Sequence, residues 1–184
     1  MNVFTPFPTL QTENLVLRRI LQMDLADLFE MRRDPRMHEH TDTKPDEVME
    51  ATTAYYCKMN QGMEDGKWVI WAIEHKTAAK VIGTISIWNF DWEKGCGELG
   101  YGIIPEYQGR GLMKEALRSV IAYGFDSLNL KSLEAYTEVH NLSSVKLLEH
   151  CGFIETAQVE EKGFVNDRTY LMHVYSLEKD QSRL

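Results

Sequence analysis

Apolar residues recur along the chain with two periods, and together they predict an alternation of strands and helices. Short apolar runs typical of strands lie at 15–20, 68–74, 80–90, about 97–104, 133–139, about 153–161 and about 169–177. Helical spacing is found from 25, with Pro35 shortly beyond the end of that helix, and at about 45–59, 112–128 and 143–150. The predicted order is therefore strand, two helices, three strands, helix, strand, helix and two strands.

Local signals mark the ends of several elements. Asp24 is expected to cap the first helix and Asn141 the last, where Gly152 occupies the position of a C-terminal cap. The weak turn region 76–79 makes the second and third strands a hairpin. The helical crossover between the fourth and fifth strands predicts that these two are parallel neighbours. The fold class is α/β or α+β, with one central mixed sheet and helices on both faces.

Composition adds bounds to this picture. A chain of 184 residues corresponds to one domain, and 43% hydrophobic with 26% charged residues is typical of a globular protein. Apolar runs long enough to cross a bilayer are absent, and the first ten residues do not resemble a secretory signal. The three cysteines, 57, 96 and 151, are widely spaced, which favours a reducing cytoplasm and argues against a disulfide framework.

The charge balance excludes one class of partner. There are 20 basic and 28 acidic residues, a net charge of -8, whereas nucleic-acid binders need a basic surface. An acidic chain permits an amine-bearing partner. His38 and His40 suggest a metal ligand pair, but the sequence offers no matching cluster, so we expect a solvated loop and no metal.

The segment with the strongest chemical signal joins the fourth strand to the long helix. Gly109 and Gly111 bracket Arg110 where the helix begins, a junction that exposes backbone N–H groups at the positive end of the helix dipole. Lys114 adds a second cation in the first turn. The loop is neither a Walker A nor a dinucleotide fingerprint, so ATP and NAD are poor candidates. A tight turn without a ligand is the alternative.

Two segments together resemble the GNAT acetyltransferase superfamily. Residues 108–113 resemble its acetyl-CoA loop except that Met113 replaces a small residue, and 141–153 resembles the segment after its fifth strand. Residues 12–18 and 175–177 are similar to the branch that acetylates ribosomal-protein N-termini. The resemblance covers about 12–177 and implies one N-acetyltransferase domain. It also implies a mostly antiparallel sheet of about seven strands flanked by about four helices.

The resemblance also implies where acetyl-CoA lies. The pantetheine arm is expected to pair with the backbone at Ile103 and Ile104, to contact Asn141 and to bring its sulfur near Ser144. The pyrophosphate is expected on the backbone amides of Gln108, Gly109, Arg110, Gly111, Leu112 and Met113.

Acetyl transfer to an amine requires a group that removes the ammonium proton. Strand alternation places Glu98, Gly100 and Gly102 on one face, so that two glycines leave a hollow beside a carboxylate. We therefore expect Glu98 to act as the base, with an ordinary solvent-facing carboxylate as the alternative. The resemblance favours the base because related chains often carry Glu here. Glu160 and Glu161 are weaker candidates.

The leaving thiolate needs a second group, which donates a proton or a hydrogen bond to its sulfur. Many relatives use a Tyr four residues after the position of Ser144, but this chain has Leu148 there. Ser144 is therefore the candidate donor, and the alternative is a serine that only caps its helix. Cys151 is expected to be a small core residue, which favours direct transfer over an acyl-enzyme.

The acceptor is the least determined part. Trp88, Phe90 and Trp92 alternate and predict either an acceptor pocket or packing against a helix. The resemblance implies transfer to a primary amine, with a protein N-terminus as the leading acceptor. A small amine (polyamine, amino sugar or amino-acid-like) and a non-catalytic acetyl-CoA sensor are the alternatives. Nucleic-acid and membrane partners are not expected, and relatives suggest a monomer or homodimer.

Overall fold

The computed structural model describes residues 4–180, and this range contains eight strands and four α-helices. The strands are β1 (Leu10–Gln11), β2 (Leu15–Arg18), β3 (Val69–His75), β4 (Lys80–Asp91), β5 (Cys96–Ile103), β6 (Ser132–Glu138), β7 (Ile154–Lys162) and β8 (Thr169–Glu178). The helices are α1 (Leu25–Arg33), α2 (Met49–Glu64), α3 (Leu112–Ala122) and α4 (Leu142–His150). A π-helical turn, Tyr123–Ser127, continues α3.

All eight strands belong to one sheet, in the order β1-β2-β3-β4-β5-β6-β8-β7. Every neighbouring pair is antiparallel except β5 and β6, whose parallel pairing was predicted from the helical crossover. The predicted count of about seven strands is one too low. The additional strand, β1, has two residues that pair with Leu17 and Val16, and two residues are too few to show a period in the sequence.

Helices cover both faces of the sheet, as predicted. On one face α3 and α4 contribute Leu117, Val120 and Leu148 to a core that includes Ile85 and Leu99. A second, smaller cluster lies under α1 and α2 on the opposite face. Within residues 4–180, no helix has both the length and the apolar character needed to cross a membrane.

Two predicted helix starts need correction. Asp24 does precede α1, but its carboxylate accepts hydrogen bonds from the Leu21 N–H group and from Arg18, at 2.7 and 2.7–2.8 Å, and does not cap the helix. The second helix was predicted over about 45–59 and is observed at Met49–Glu64. It begins later because Asp46 is held by a side chain of α1.

This bond between Asp46 and α1 anchors the long connection from α1 to α2. Arg32 donates two hydrogen bonds to the Asp46 carboxylate, at 2.7 and 3.0 Å, and Thr52 donates a third at 2.6 Å. Burial opposes the charge of Asp46, but the hydrogen bonds from Arg32 and Thr52 outweigh it and lower the pKa of the carboxyl group. The connection is therefore fixed at its C-terminal end, beside the face of the sheet that carries Glu98.

We expect Asp46→Ala to lower the free energy of unfolding by about 3 kcal/mol at neutral pH, because it leaves the largely buried Arg32 guanidinium without its partner. The contribution of Asp46 is present above the carboxyl pKa of the unfolded chain, about 4, and is lost as the pH falls below it. Urea unfolding at neutral and acidic pH measures both effects. Asp34→Ala is the matched control, since Asp34 binds the exposed Arg36; equal losses for the two variants would contradict the prediction.

The sheet opens where β5 and β6 separate. The two strands pair only from Cys96 to Leu99 and from Ser132 to Ala135 among the described residues. Beyond that point β5 stays with β4 and β6 stays with β8. The loop after β5 leads into α3, and the loop after β6 leads into α4. The point where β5 and β6 separate therefore lies between the glycine loop before α3 and the segment that begins at Asn141, the two segments that carry the family resemblance.

Candidate active site

Gly109 and Gly111 shape the loop at the start of α3. Both have a left-handed backbone, with φ of +71° and +77°, and no described atom lies within 4 Å of where a Cβ would be. The first N–H groups of α3 have no carbonyl one turn earlier to accept from them. The loop thus presents backbone donors at the positive end of a helix, next to open space where an anion could approach.

Cationic side chains accompany this loop. A cleft of about 560 Å³ next to Gly111 is lined by Lys114 and Arg118 and by residues of the β1–β2 region. Arg110, the other cation of the loop, lies over the Tyr107 ring, 5.1 Å from its centroid. Arg118 did not emerge from the sequence, although its spacing of four from Lys114 places both on one side of a helix.

The end of β5 is tied to the same loop. The Gln108 side-chain amide donates to the Ile103 carbonyl at 3.0 Å. Ile104 has its N–H group bound to the Ile82 carbonyl and its own carbonyl bound to the Tyr107 N–H group. The next two predicted loop residues, Leu112 and Met113, point their side chains into the core. Their side chains are therefore buried, and only their backbone groups could reach a ligand.

On the other side of the opening, Asn141 caps α4. Its side-chain oxygen accepts from the Ser144 N–H group at 3.1 Å, as the capping prediction required. The Ser144 hydroxyl forms a hydrogen bond of 2.8 Å with the Tyr101 hydroxyl. Leu148, one turn further on, is completely buried. Tyr101 was not predicted as a site residue, because nothing local links it to Ser144.

Glu98 lies on β5 just before the strands part, on the face opposite Leu99. Burial raises the pKa of Glu98 to about 7. Asn89, whose amide donates to Oε2 over 3.2 Å, opposes that rise, and the charges of Glu161 and Glu134 add to it. A carboxyl group that titrates near pH 7 can accept a proton under physiological conditions.

The neighbours of Glu98 are acidic and aromatic. In the sheet Glu98 lies directly between Trp88 of β4 and Glu134 of β6, and opposed residues point to the same face. Trp88 is 42% exposed. Glu161 was a predicted alternative base, and it contributes charge to this group; Glu134 was not predicted. Alternation along β6 could have indicated its face, but the pairing with Glu98 depends on the parallel register.

Trp88 and Phe90 of β4 and Trp92, just after it, do not act as one set. Phe90 packs against the core cluster that contains residues of α3. The strand has an irregularity between Trp88 and Asp91, where Asn89 adopts a left-handed backbone with φ of +49°. Phe90 and Trp92 stack on each other at 4.5 Å, and Phe90 also packs against Phe4. Trp88 alone lies beside Glu98, because the bulge reverses the alternation after it.

The remaining candidates have structural partners. His38 bonds to Thr43 and to the Arg32 carbonyl, whereas His40 bonds to Glu138 at 3.0 Å, so the two imidazoles diverge. In residues 4–180 no three His, Cys, Asp or Glu side chains converge as metal ligands. Burial raises the pKa of the Cys151 thiol, which makes it a weak nucleophile at neutral pH.

The residues thus form three functional groups around one opening in the sheet. Backbone donors with nearby cations lie at the start of α3, a carboxylate that titrates near pH 7 lies on one face of β5, and a hydroxyl pair lies on the other. This arrangement can bind a phosphate-bearing molecule, accept a proton and donate a hydrogen bond.

Comparison with known proteins identifies the class. Residues 14–154 match the model of the acetyltransferase (GNAT) domain, and the chain belongs to this family. It is an acyltransferase that depends on acetyl-CoA, and the mixed fold implied by the resemblance is confirmed.

Individual relatives are similar over nearly the whole chain. The N-acetyltransferase p20 of Bacillus licheniformis is 30% identical over 171 residues, which cover 93% of this chain and 96% of p20. Spermidine N-acetyltransferase of Vibrio cholerae, solved with CoA and spermine, has a TM-score of 0.79 at 22% identity and covers 93% of this chain and 99% of its own. Ribosomal-protein-S5-alanine acetyltransferase of Vibrio fischeri has a TM-score of 0.81 at 22% identity, covering 94% and 97%.

Proposed function

We propose that the protein transfers the acetyl group of acetyl-CoA directly to a primary amine, within one N-acetyltransferase domain over about 12–177. The observation that carries this proposal is Glu98, a carboxyl group with a pKa of about 7 at the point where β5 and β6 separate. We place the protein in the cytoplasm, because its three cysteines are free thiols and a reducing compartment keeps thiols in that form.

The residues around the opening fit acetyl-CoA. The backbone amides from Gly109 to Met113 would hold the pyrophosphate, since a Cβ at Gly109 or Gly111 would point into the space an anion needs. The Gln108 N–H group, also expected there, already donates to the Pro105 carbonyl at 3.1 Å. Lys114 and Arg118 would balance the remaining phosphate charge. The pantetheine arm would enter between the strands and would meet the Ile103 N–H group, because the Ile103 carbonyl already accepts from the Gln108 side chain. The Asn141 amide nitrogen takes no part in the cap of α4 and could bind the arm as well. The backbone groups of Ile104 are already engaged, so its contribution would be the second lone pair of its carbonyl.

The two faces of β5 suit the two halves of the reaction. On one face Glu98 would first take a proton from the incoming ammonium group, so that the free amine can attack the thioester carbonyl, and the second proton of the nitrogen would pass to solvent as the amide forms. On the other, Ser144 would donate a hydrogen bond to the sulfur as the C–S bond breaks and its electron pair moves to sulfur. The buried Leu148 cannot replace Ser144, and the high pKa of the Cys151 thiol supports transfer without an acyl-enzyme.

A protein N-terminal amine and a small cationic amine are the two candidate acceptors. The first is the acceptor class of the ribosomal-protein acetyltransferases that share the fold. The second is favoured by Glu134 and Glu161, whose charges act on the same site as Glu98. The exposed face of Trp88 next to them would also attract a cation. A polyamine carries the several positive charges that this group could neutralise.

A panel of amines tests the reaction and the acceptor together. We expect acetyl-CoA to bind and the CoA thiol to be released when an acceptor amine is present. The amines compared are spermidine and a peptide bearing N-terminal alanine or serine. If the acceptor is a polyamine, Glu134→Gln should raise its KM about fivefold, since it removes one charge partner near the protein surface. The peptide KM should not change.

Glu93→Gln, in the exposed turn between β4 and β5, is the control for this variant. Binding of acetyl-CoA without thiol release for any amine would contradict the catalytic proposal and indicate a sensor. A Glu134→Gln variant with unchanged KM for spermidine would contradict a polyamine acceptor.

A further inference from the structure

Tyr101 lies on β5 at the edge of the opening in the sheet. It lies two residues after the last residue of β5 that pairs with β6, so its side chain borders the opening in the sheet. The ring packs against the core under α3 and α4, on the face opposite Glu98. Its hydroxyl is 2.8 Å from that of Ser144, a residue 43 positions away in the chain. A tyrosine of β5 is thus joined to the first turn of α4.

The direction of this hydrogen bond matters for the chemistry. Burial raises the pKa of the Tyr101 phenol, so it stays neutral and keeps its proton over the physiological pH range. A phenol is a stronger acid than an alcohol and is therefore the better donor of the two. When Tyr101 donates, the Ser144 oxygen accepts and the Ser144 proton remains available for a second partner. If Ser144 donated instead, its lone pairs would face an approaching sulfur anion.

The position of Ser144 is fixed from two sides. Its N–H group is held by the Asn141 side chain at 3.1 Å, and its hydroxyl is held by Tyr101. No other hydrogen bond to either hydroxyl is found among residues 4–180. The serine is therefore oriented before any ligand binds, as electrostatic stabilisation of a developing charge requires.

We propose that Tyr101 is a positioning residue for acetyl transfer, which holds Ser144 so that the serine donates its proton in a hydrogen bond to the departing thiolate sulfur. This inference rests on the proposed function. When the C–S bond breaks, its electron pair goes to sulfur, and Ser144 stabilises the anion without giving up its proton. The thiolate is protonated by solvent after release. The Tyr101 phenol does not supply this proton, because its raised pKa makes it a weaker acid than the thiol.

Kinetics of Tyr101→Phe give the first test. The ring is retained, so the core stays filled, and we expect kcat to fall about fivefold to tenfold while the KM for acetyl-CoA stays within about twofold. Ser144→Ala should show a similar fall. In the double variant the two effects should not multiply, because Tyr101 acts through Ser144. Tyr123→Phe is the matched control, since it removes a phenol from the same core cluster at a distance from α4.

Titration of bound CoA gives a second test that needs no acceptor. The ultraviolet absorbance of the thiolate, followed as the pH is raised, gives the pKa of the CoA thiol. The same titration of the protein without CoA is subtracted, because it contains the signal of the nearby Cys151. Tyr101→Phe should raise the pKa of the bound thiol by about half a unit to one unit, and Tyr123→Phe should leave it unchanged.

The outcomes separate the two proposals. Multiplicative effects in the double variant, a change confined to the KM for acetyl-CoA, or an unchanged thiol pKa would each overturn the role of Tyr101. Wild-type protein that turns over no amine would instead overturn the proposed function. In that case the thiol titration still decides whether Tyr101 acts on the sulfur through Ser144.

Discussion

Glu98→Gln is expected to lower kcat/KM about a hundredfold at neutral pH, because it removes the group proposed to accept the ammonium proton. In the wild type kcat/KM should rise with pH up to about 7, where Glu98 ionises, and this limb should vanish in the variant. The deficit should shrink toward alkaline pH, as more of the acceptor is present as free amine. The measurement is the pH dependence of kcat/KM with a reactive amine from the panel.

The stability of this variant provides a control for folding. The raised pKa of Glu98 means that the folded state holds the proton more tightly than the unfolded chain does, so its ionisation destabilises the fold as the pH rises from about 4.5 to about 7. Glu98→Gln should therefore unfold in urea at least as late as the wild type, with a gain of roughly 2 kcal/mol at pH 8. A rate unaffected at every pH would remove Glu98 from the mechanism, and Glu93→Gln should match the wild type throughout.

Gly111→Ala is expected to weaken acetyl-CoA binding by about tenfold to a hundredfold. The added methyl meets no described atom of the protein but projects beside the exposed amides of the loop, where it would keep a phosphate from its hydrogen bonds. Calorimetric titration with acetyl-CoA measures the loss.

Gly152→Ala is the matched control for this prediction. Gly152 also has a left-handed backbone, with φ of +89°, and an added Cβ there would make an ordinary 3.6 Å contact with Leu177. Both substitutions should cost about 1 kcal/mol of unfolding free energy for the unfavourable backbone conformation, but only Gly111→Ala should weaken binding. Equal affinity of the two variants for acetyl-CoA would contradict an anion site at this loop.

Features that depend on a few adjacent residues could be predicted. The capping of α4 by Asn141 and the glycine after it follow from local hydrogen bonding and from φ, and both are observed. The parallel pairing of β5 and β6 followed from the helical crossover between them. The face of Glu98 followed from alternation, since the strand is regular at that point.

Predictions failed where a distant side chain competed with a local signal. Asp24 has the sequence position of a helix cap, but Arg18 and the Leu21 N–H group take its carboxylate. The start of α2 moved because Asp46 binds Arg32. The aromatic residues at 88, 90 and 92 were divided by a bulge at Asn89. Asn favours the left-handed backbone, but a single Asn inside an apolar run does not show that a bulge forms there.

The sequence by itself determined the order of the elements other than β1, the glycine loop before α3 and the family resemblance, because each of these depends on contiguous residues and their spacing. The tertiary structure alone decided which side chains meet at the opening of the sheet. Glu98 acquires a pKa near 7 from burial and from Glu161 and Glu134, which lie on other strands. Tyr101 reaches Ser144 across 43 residues. Such contacts depend on strand register and on the separation of β5 from β6, and these are set by the packing of the whole sheet.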